Sequence, residues 1–156
     1  MIADFKKRNQ NRVAEDKVEE YLKKRNVNYL RYGLDHLDSE LPIYKIPSLI
    51  RSAPDYIIFK NYDEKDNNPI FVEAKGFVNN VKLKLADMKN YAKWNAHMEI
   101  MFILYDVKED AYCSVMYNTI VKIISDKKPE IKSYPENPNN RYYEIPTHWL
   151  PDFTNF

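Results

Sequence analysis

The chain has 156 residues, near the modal size of one domain, with 44% hydrophobic and 30% charged side chains. That is enough apolar surface for one core and too much charge for a membrane protein. Its 24 Lys and Arg against 23 Asp and Glu leave a formal net charge of +1, so any nucleic-acid surface must be local.

A single cysteine, Cys113, excludes an internal disulfide, and His36, His97 and His148 lack ligand spacing, which argues against structural zinc. No run of about 18 apolar residues occurs, and MIADFKKRNQNR lacks a signal-peptide core. The expected location is therefore cytoplasmic, that of the host cell if the gene is phage-borne. Only 2 Gly beside 13 Tyr and abundant Asn, Lys and Ile indicate an AT-rich coding bias. By analogy alone, that bias suggests a phage or mobile element.

Residues 10–25 (QNRVAEDKVEEYLKKR) repeat Ala14, Val18, Tyr21 and Leu22 at helical spacing, and Asn26 and Asn28 are expected to end this helix. A short strand is predicted around Tyr29 to Tyr32. Pro42 and Pro47 then make residues 35–53 a loop or an edge strand. The β-rich runs Tyr56–Phe59 and Pro69–Val72, separated by NYDEKDNN, predict a hairpin. Residues 81–97 carry a helical period and lead into IMFILYD (100–106), a buried central strand. AYCSVM follows as a strand, YNTIVKIIS as a short helix, and the Pro-rich stretch 126–156 as an extension in which YYEIP forms a late strand. One domain over 1–156 is expected, its core about 10–125. Its class is α/β, with a central mixed β-sheet of four to five strands flanked by helices.

Pro54-Asp55 opens the first hairpin strand and Glu73-Ala74-Lys75 closes the second. Alternation puts Glu73 and Lys75 on one face, and antiparallel pairing brings Asp55 beside them. Two carboxylates and an ammonium at one sheet edge suit Mg²⁺, which takes one or two protein carboxylates, waters and substrate phosphate. Such a cation, with Lys75 orienting the water, suits phosphodiester hydrolysis. Acid-x-Lys recurs elsewhere, for example at Asp87-Met-Lys89 and Asp106-Val-Lys108. What sets Glu73-Ala-Lys75 apart is its place: it ends an apolar strand, follows a hairpin begun by Pro-Asp and precedes an amphipathic helix.

Pro54-Asp55 with Glu73-Ala74-Lys75 resembles the PD-(D/E)XK nuclease superfamily, whose core runs helix, β-meander, helix, strand. The resemblance spans roughly residues 10–106 and is similar to the small resolvase-like and phage branches. It implies a further acidic residue on the first helix, for which Glu15 is the candidate and Glu19 the reserve. It also implies metal ligation by Asp55, Glu73 and Glu15, water positioning by Lys75, Mg²⁺ replaceable by Mn²⁺, and products with 5′-phosphate and 3′-hydroxyl ends. The Gln-x-x-x-Tyr motif of the exonuclease-like branch stands here as Asp87-x-x-x-Tyr91, which points to a small endonuclease instead. Two basic groups flank the site and are the candidate DNA contacts: Lys6, Lys7, Arg8 and Arg12, then Lys82, Lys84 and Lys89, joined by Tyr91, although Tyr91 and Trp94 on an amphipathic helix are more often core residues. A Mg²⁺-dependent DNA endonuclease, structure-selective or weakly specific, is the expectation, with a homodimer acting on both strands. The rival is a non-catalytic nucleic-acid-binding or phage accessory protein on the same fold.

Overall fold

The computed structural model describes residues 2–34, 42–59 and 68–155, with residues 2–9 and Ile43 described by backbone alone. Helix α1 (Ile2–Lys24) turns Ala14, Val18 and Leu22 inward, each no more than 1% exposed. Asn26 ends it in the left-handed region at φ 52°, a conformation Asn tolerates better than most residues, and Val27 N–H donates to the Leu22 carbonyl at 3.0 Å. Asn28 instead opens strand β1 (Asn28–Arg31). Within 35–53, the described part is helical: one 3₁₀ turn (Ile43–Lys45) and a short α2 (Ser48–Arg51) follow Pro42 and Pro47.

The predicted hairpin is β2 (Tyr56–Phe59) against β3 (Ile70–Phe77), antiparallel, with Tyr56 opposite Val72. All of the connecting NYDEKDNN but Asn68 lies outside the described residues. Strand β5 (Ile100–Asp106) lies parallel to β3, and β6 (Ala111–Met116) returns antiparallel beside it. Helix α4 (Tyr117–Lys127) follows.

The C-terminal stretch is not appended to a core ending near residue 125. Strands β7 (Ile131–Tyr134) and β8 (Asn137–Ile145) form a hairpin, β9 (Thr154–Asn155) extends the main sheet, and Ile145 and Leu150 are core residues. The main sheet is mixed and flanked by helices, as expected. It has six strands rather than four or five, in the order β1-β2-β3-β5-β6-β9.

A second, three-stranded sheet explains the other difference. Residues 81–84 form β4 (Val81–Lys84), paired to β8, and α3 begins only at Leu85 and runs to Asn95. Apolar positions 81, 83, 85 and 88 fit both periods; burial of Val81 and Leu83 around exposed Lys82 settles the strand.

The main sheet is covered on both faces. Val72 and Ala74 of β3 pack with Ile103 and Tyr105 of β5 under α1, whereas Phe71 and Phe77 pack with Phe102 and Leu104 under α3, α4 and the second sheet. Gly76 lets α1 cross β3 at backbone contact. A Cβ there would come within 2.9 Å of the Gln10 carbonyl carbon and 3.3 Å of the Ala14 methyl, so one of the chain's two glycines fixes this close approach.

Candidate active site

Glu73 sits mid-strand on the α3 side of β3, 5% exposed in an otherwise apolar layer. Its Oε1 accepts the Tyr91 hydroxyl at 2.6 Å and the Lys75 ammonium at 2.8 Å. Its Oε2 is buried without a hydrogen-bond partner among the described residues. An unsatisfied buried carboxylate oxygen costs on the order of 1–3 kcal/mol or more, so natural structures seldom leave one without cause.

Asp55 lies one residue before the Tyr56–Val72 pair, so extending the β2–β3 register sets it opposite Glu73. Its Oδ2 accepts the Ala74 N–H at 2.8 Å, and Oδ1 has no protein partner among the described residues. The backbone around it is tied down: Tyr32 and Gly33 N–H both donate to the Asp55 carbonyl, at 2.8 and 3.1 Å. Upstream, α3 holds α2 in place. Asn90 Nδ2 donates to Ser48 and Ser52 Oγ, each at 3.0 Å, and Trp94 Nε1 donates to the Leu49 carbonyl at 3.1 Å. Neighbouring residues of one helix, Asn90 and Tyr91, thus brace the approach to Asp55 and grip Glu73.

The electrostatics show an excess of negative charge. Burial first, then the charges of Glu73 and Glu15, push Asp55 well above the usual carboxylate range, against smaller opposing effects of Lys75 and the Ala74 N–H. Burial opposes the charge on Lys75, yet Glu73, Tyr91 and Asp87 together hold its pKa well above the ordinary lysine value, so it stays an ammonium. Burial, then Glu73, raises Tyr91 as well, keeping its hydroxyl a donor.

Glu15 comes from α1 on the other face of the sheet, and its Oε2 meets Arg31 at 2.8 Å. Its charge reaches Asp55, but among the described residues no three Asp, Glu, His or Cys side chains close on one point. Glu19, the reserve, also faces Arg31, at 3.4 Å, and accepts the Tyr56 hydroxyl at 3.4 Å. Tyr91 departs from its expected place on a DNA-contacting surface. It is 2% exposed, so no base can stack on it, and its hydroxyl serves Glu73 instead. Arg12, Lys82 and Lys89 are exposed and Lys84 is half-buried, while the side chains of Lys6, Lys7 and Arg8 lie outside the described residues. Beside Lys75 opens a cleft of about 650 Å³, walled by Gln10 and Asn11 of α1, by β4 with Asp87, and by Tyr134 to Asn140 of the β7–β8 hairpin. Sequence reasoning missed both this hairpin wall and the hold of Tyr91 on Glu73. The one available signal for the latter was a polar tyrosine on the apolar stripe of α3.

Two carboxylates with oxygens unpartnered among the described residues, Glu73 Oε2 and Asp55 Oδ1, fit a hard divalent cation, whose oxygen-rich shell is completed by water and phosphate. Neither a protein-family model nor a curated sequence matches the chain. Its structure is similar to that of D212, a nuclease from a fusselovirus, at 15% identity and a TM-score of 0.56, covering 94% of this chain and 84% of the other. The fold is that of the PD-(D/E)XK nucleases. A Holliday junction resolvase, Hjc of Archaeoglobus fulgidus, also matches, at 11% identity and a TM-score of 0.48 over 91% of this chain and 93% of that one. On the PD-(D/E)XK fold, the β2–β3 hairpin carries Asp55, Glu73 and Lys75 together, and no described helix is long and apolar enough to cross a membrane.

Proposed function

We propose that the protein is a metal-dependent DNA endonuclease that hydrolyses phosphodiester bonds, with Asp55 and Glu73 holding Mg²⁺ or Mn²⁺. The observation that carries this reading is the buried Oε2 of Glu73, partnerless among the described residues, beside a carboxylate whose proton is held by burial first and then by excess negative charge. A divalent cation there would neutralise that excess, stabilise charge developing on phosphorus and acidify the attacking water. Tyr91 and Lys75 fix Oε1, so the free oxygen of Glu73 is aimed without rotamer search. Lys75 keeps its protons at neutral pH, so it orients the water and offsets phosphate charge rather than acting as a general base. Glu15 stands behind Asp55 as an outer carboxylate, and Arg12, Lys82, Lys84 and Lys89 offer phosphate contacts on either side. Structure-selective cutting, a homodimer acting on both strands and a phage or mobile-element origin belong to the same proposal.

One observation favours the non-catalytic alternative: Glu15 is engaged by Arg31 instead of joining a third-carboxylate cluster. Incubation with branched, linear and supercoiled DNA, with and without Mg²⁺ or Mn²⁺, separates the two. Wild type should cut, and Glu73→Ala and Lys75→Ala should bind without cutting. A wild type that cuts no DNA, or variants that cut equally well, would leave the binding-module reading in its place.

A further inference from the structure

The hydrolysis just described uses Lys75, Lys82 and Lys84 at the edge of the neighbouring cleft but gives no role to the amides or to Tyr134 that line the rest of it. Its volume of about 650 Å³ lies within the rough 300–1,000 Å³ of pockets that enclose a small organic molecule, so it admits a nucleotide or two but no duplex. The lining is specific in kind. Side-chain amides of Gln10, Asn11, Asn80 and Asn140, joined by that of Asn137, whose Oδ1 already accepts the Asn139 N–H at 3.2 Å, bring donors and acceptors of the kind that match nucleobase edges.

Tyr134 supplies an aromatic wall. The β7–β8 register holds Ser133 opposite Arg141 and then slips, so that Tyr134 faces Asn137, and such irregularities re-aim side chains next to functional sites. The Tyr134 ring packs against Tyr142, tilted by 47° at a centroid distance of 4.6 Å, and Lys82 Nζ lies over Tyr142 at 5.1 Å. A supported ring keeps its orientation when a base arrives, which is how single-strand binders use aromatic side chains. The net charge of the lining is small: it holds Lys82 and Lys84 beside Asp87 and Glu136, and Lys75 is committed to Glu73.

We propose that this cleft receives an unpaired segment of single-stranded DNA adjoining the scissile phosphate, one base stacking on Tyr134 and its edge meeting the asparagine amides. The inference rests on the nuclease reading and narrows its substrate to DNA with an unpaired strand at the cut, such as a branch, a flap or a frayed end.

The test is fluorescence-anisotropy titration of the full chain in EDTA with labelled oligothymidine of about 10 nucleotides, a blunt duplex of equal length and oligouridine. Oligothymidine should bind at least about five-fold more tightly than the duplex, with a salt slope of about one phosphate or less. Tyr134→Ala should weaken it about five-fold or more, while Tyr134→Phe, which keeps the ring, should stay within about two-fold. Should Tyr134→Ala fail to fold, Asn140→Ala decides, with an expected loss of about three-fold. Duplex bound as tightly as the single strand, oligouridine preferred over oligothymidine, or binding indifferent to Tyr134→Ala or, where that variant does not fold, to Asn140→Ala would each overturn the proposal. Because the assay contains no metal, a protein that binds in this way yet never cuts refutes hydrolysis alone. A protein that cuts while ignoring Tyr134 refutes the cleft alone.

Discussion

Two clusters of acidic and basic side chains flank the same end of the sheet, and they are built in opposite ways. On the α1 side, Glu15 and Glu19 share Arg31, half in solvent, and Lys23 adds a further contact to Glu19 at 3.6 Å. On the α3 side, Glu73 is buried, its one cation and one phenol converge on a single oxygen, and the other oxygen is left bare. The first cluster is electrostatically satisfied and adds little to stability, since exposed ion pairs are worth about 0–1 kcal/mol. The second carries a standing cost in the metal-free protein. The difference teaches where to look for function on this fold: at the carboxylate whose surroundings hold it in place without satisfying it.

The largest expected effect follows from that bare oxygen. Glu73→Gln keeps the size of the side chain and an acceptor for Tyr91, but removes the charge. Cleavage should fall by at least about 10²-fold, the scale on which single electrostatic elements of an active site are worth. Gel-based cleavage rates in Mg²⁺ check this, and a variant within about three-fold of wild type would break the contrast between the clusters.

Asp55→Asn should act in two opposite directions. Asp55 has a raised folded-state pKa, so its stabilising contribution is complete below its unfolded value, about 3.9, and is lost as pH rises through the folded value. At neutral pH the metal-free wild type therefore carries a penalty that asparagine removes while still accepting from Ala74 N–H. Its melting temperature without metal should rise by about 2–4 °C, with a flatter dependence on pH. Mg²⁺ or Mn²⁺, which stabilises wild type by binding the folded state, should no longer raise it. Lys75 contributes no such slope near neutrality, because its raised pKa places its loss of stability above the ordinary lysine value. Thermal melts across pH, with EDTA or Mn²⁺, check the sign, and destabilisation of the metal-free variant would contradict it.

Next in size is Tyr91→Phe. Loss of the 2.6 Å hydrogen bond frees Glu73 to turn, and about 1–2 kcal/mol of positioning corresponds to a roughly ten-fold slower cleavage with little change in DNA affinity. An equal loss of binding would return Tyr91 to the DNA-contacting role.

The β2–β3 hairpin, the β5 and β6 strands and the trio Asp55, Glu73 and Lys75 were legible because each depends on neighbours close in sequence: alternation along one strand, and pairing across one turn. Residues 81–84 were not, because VKLK leading into LADM satisfies both periods until β8 arrives from sixty residues downstream to pair with it. The same distance hid the cleft, since Tyr134 and Asn140 approach Lys75 only through that second sheet. Tyr91 was visible as an apolar-face residue, yet nothing local told that its hydroxyl would meet a carboxylate from another strand. Glu15 was named through resemblance alone, and its partner Arg31 belongs to a strand that only the fold brings alongside α1.

The smallest effect belongs to the satisfied cluster. Arg31→Ala removes the shared cation from Glu15 and Glu19, which stay in solvent reach, so stability should fall by no more than about 1 kcal/mol. The loss should shrink towards zero in about 1 M salt, where exposed charges are screened within a few ångströms. Glu73 and Lys75, by contrast, are 7% and 19% exposed at the side chain, so their mutual attraction should persist in the same salt. Denaturant titrations of Arg31→Ala and wild type at low and high salt measure this directly. A loss of several kcal/mol that salt leaves untouched would mean that α1 is held to the sheet end by a buried ion network. The contrast between a satisfied and an unsatisfied carboxylate cluster would then no longer locate the site.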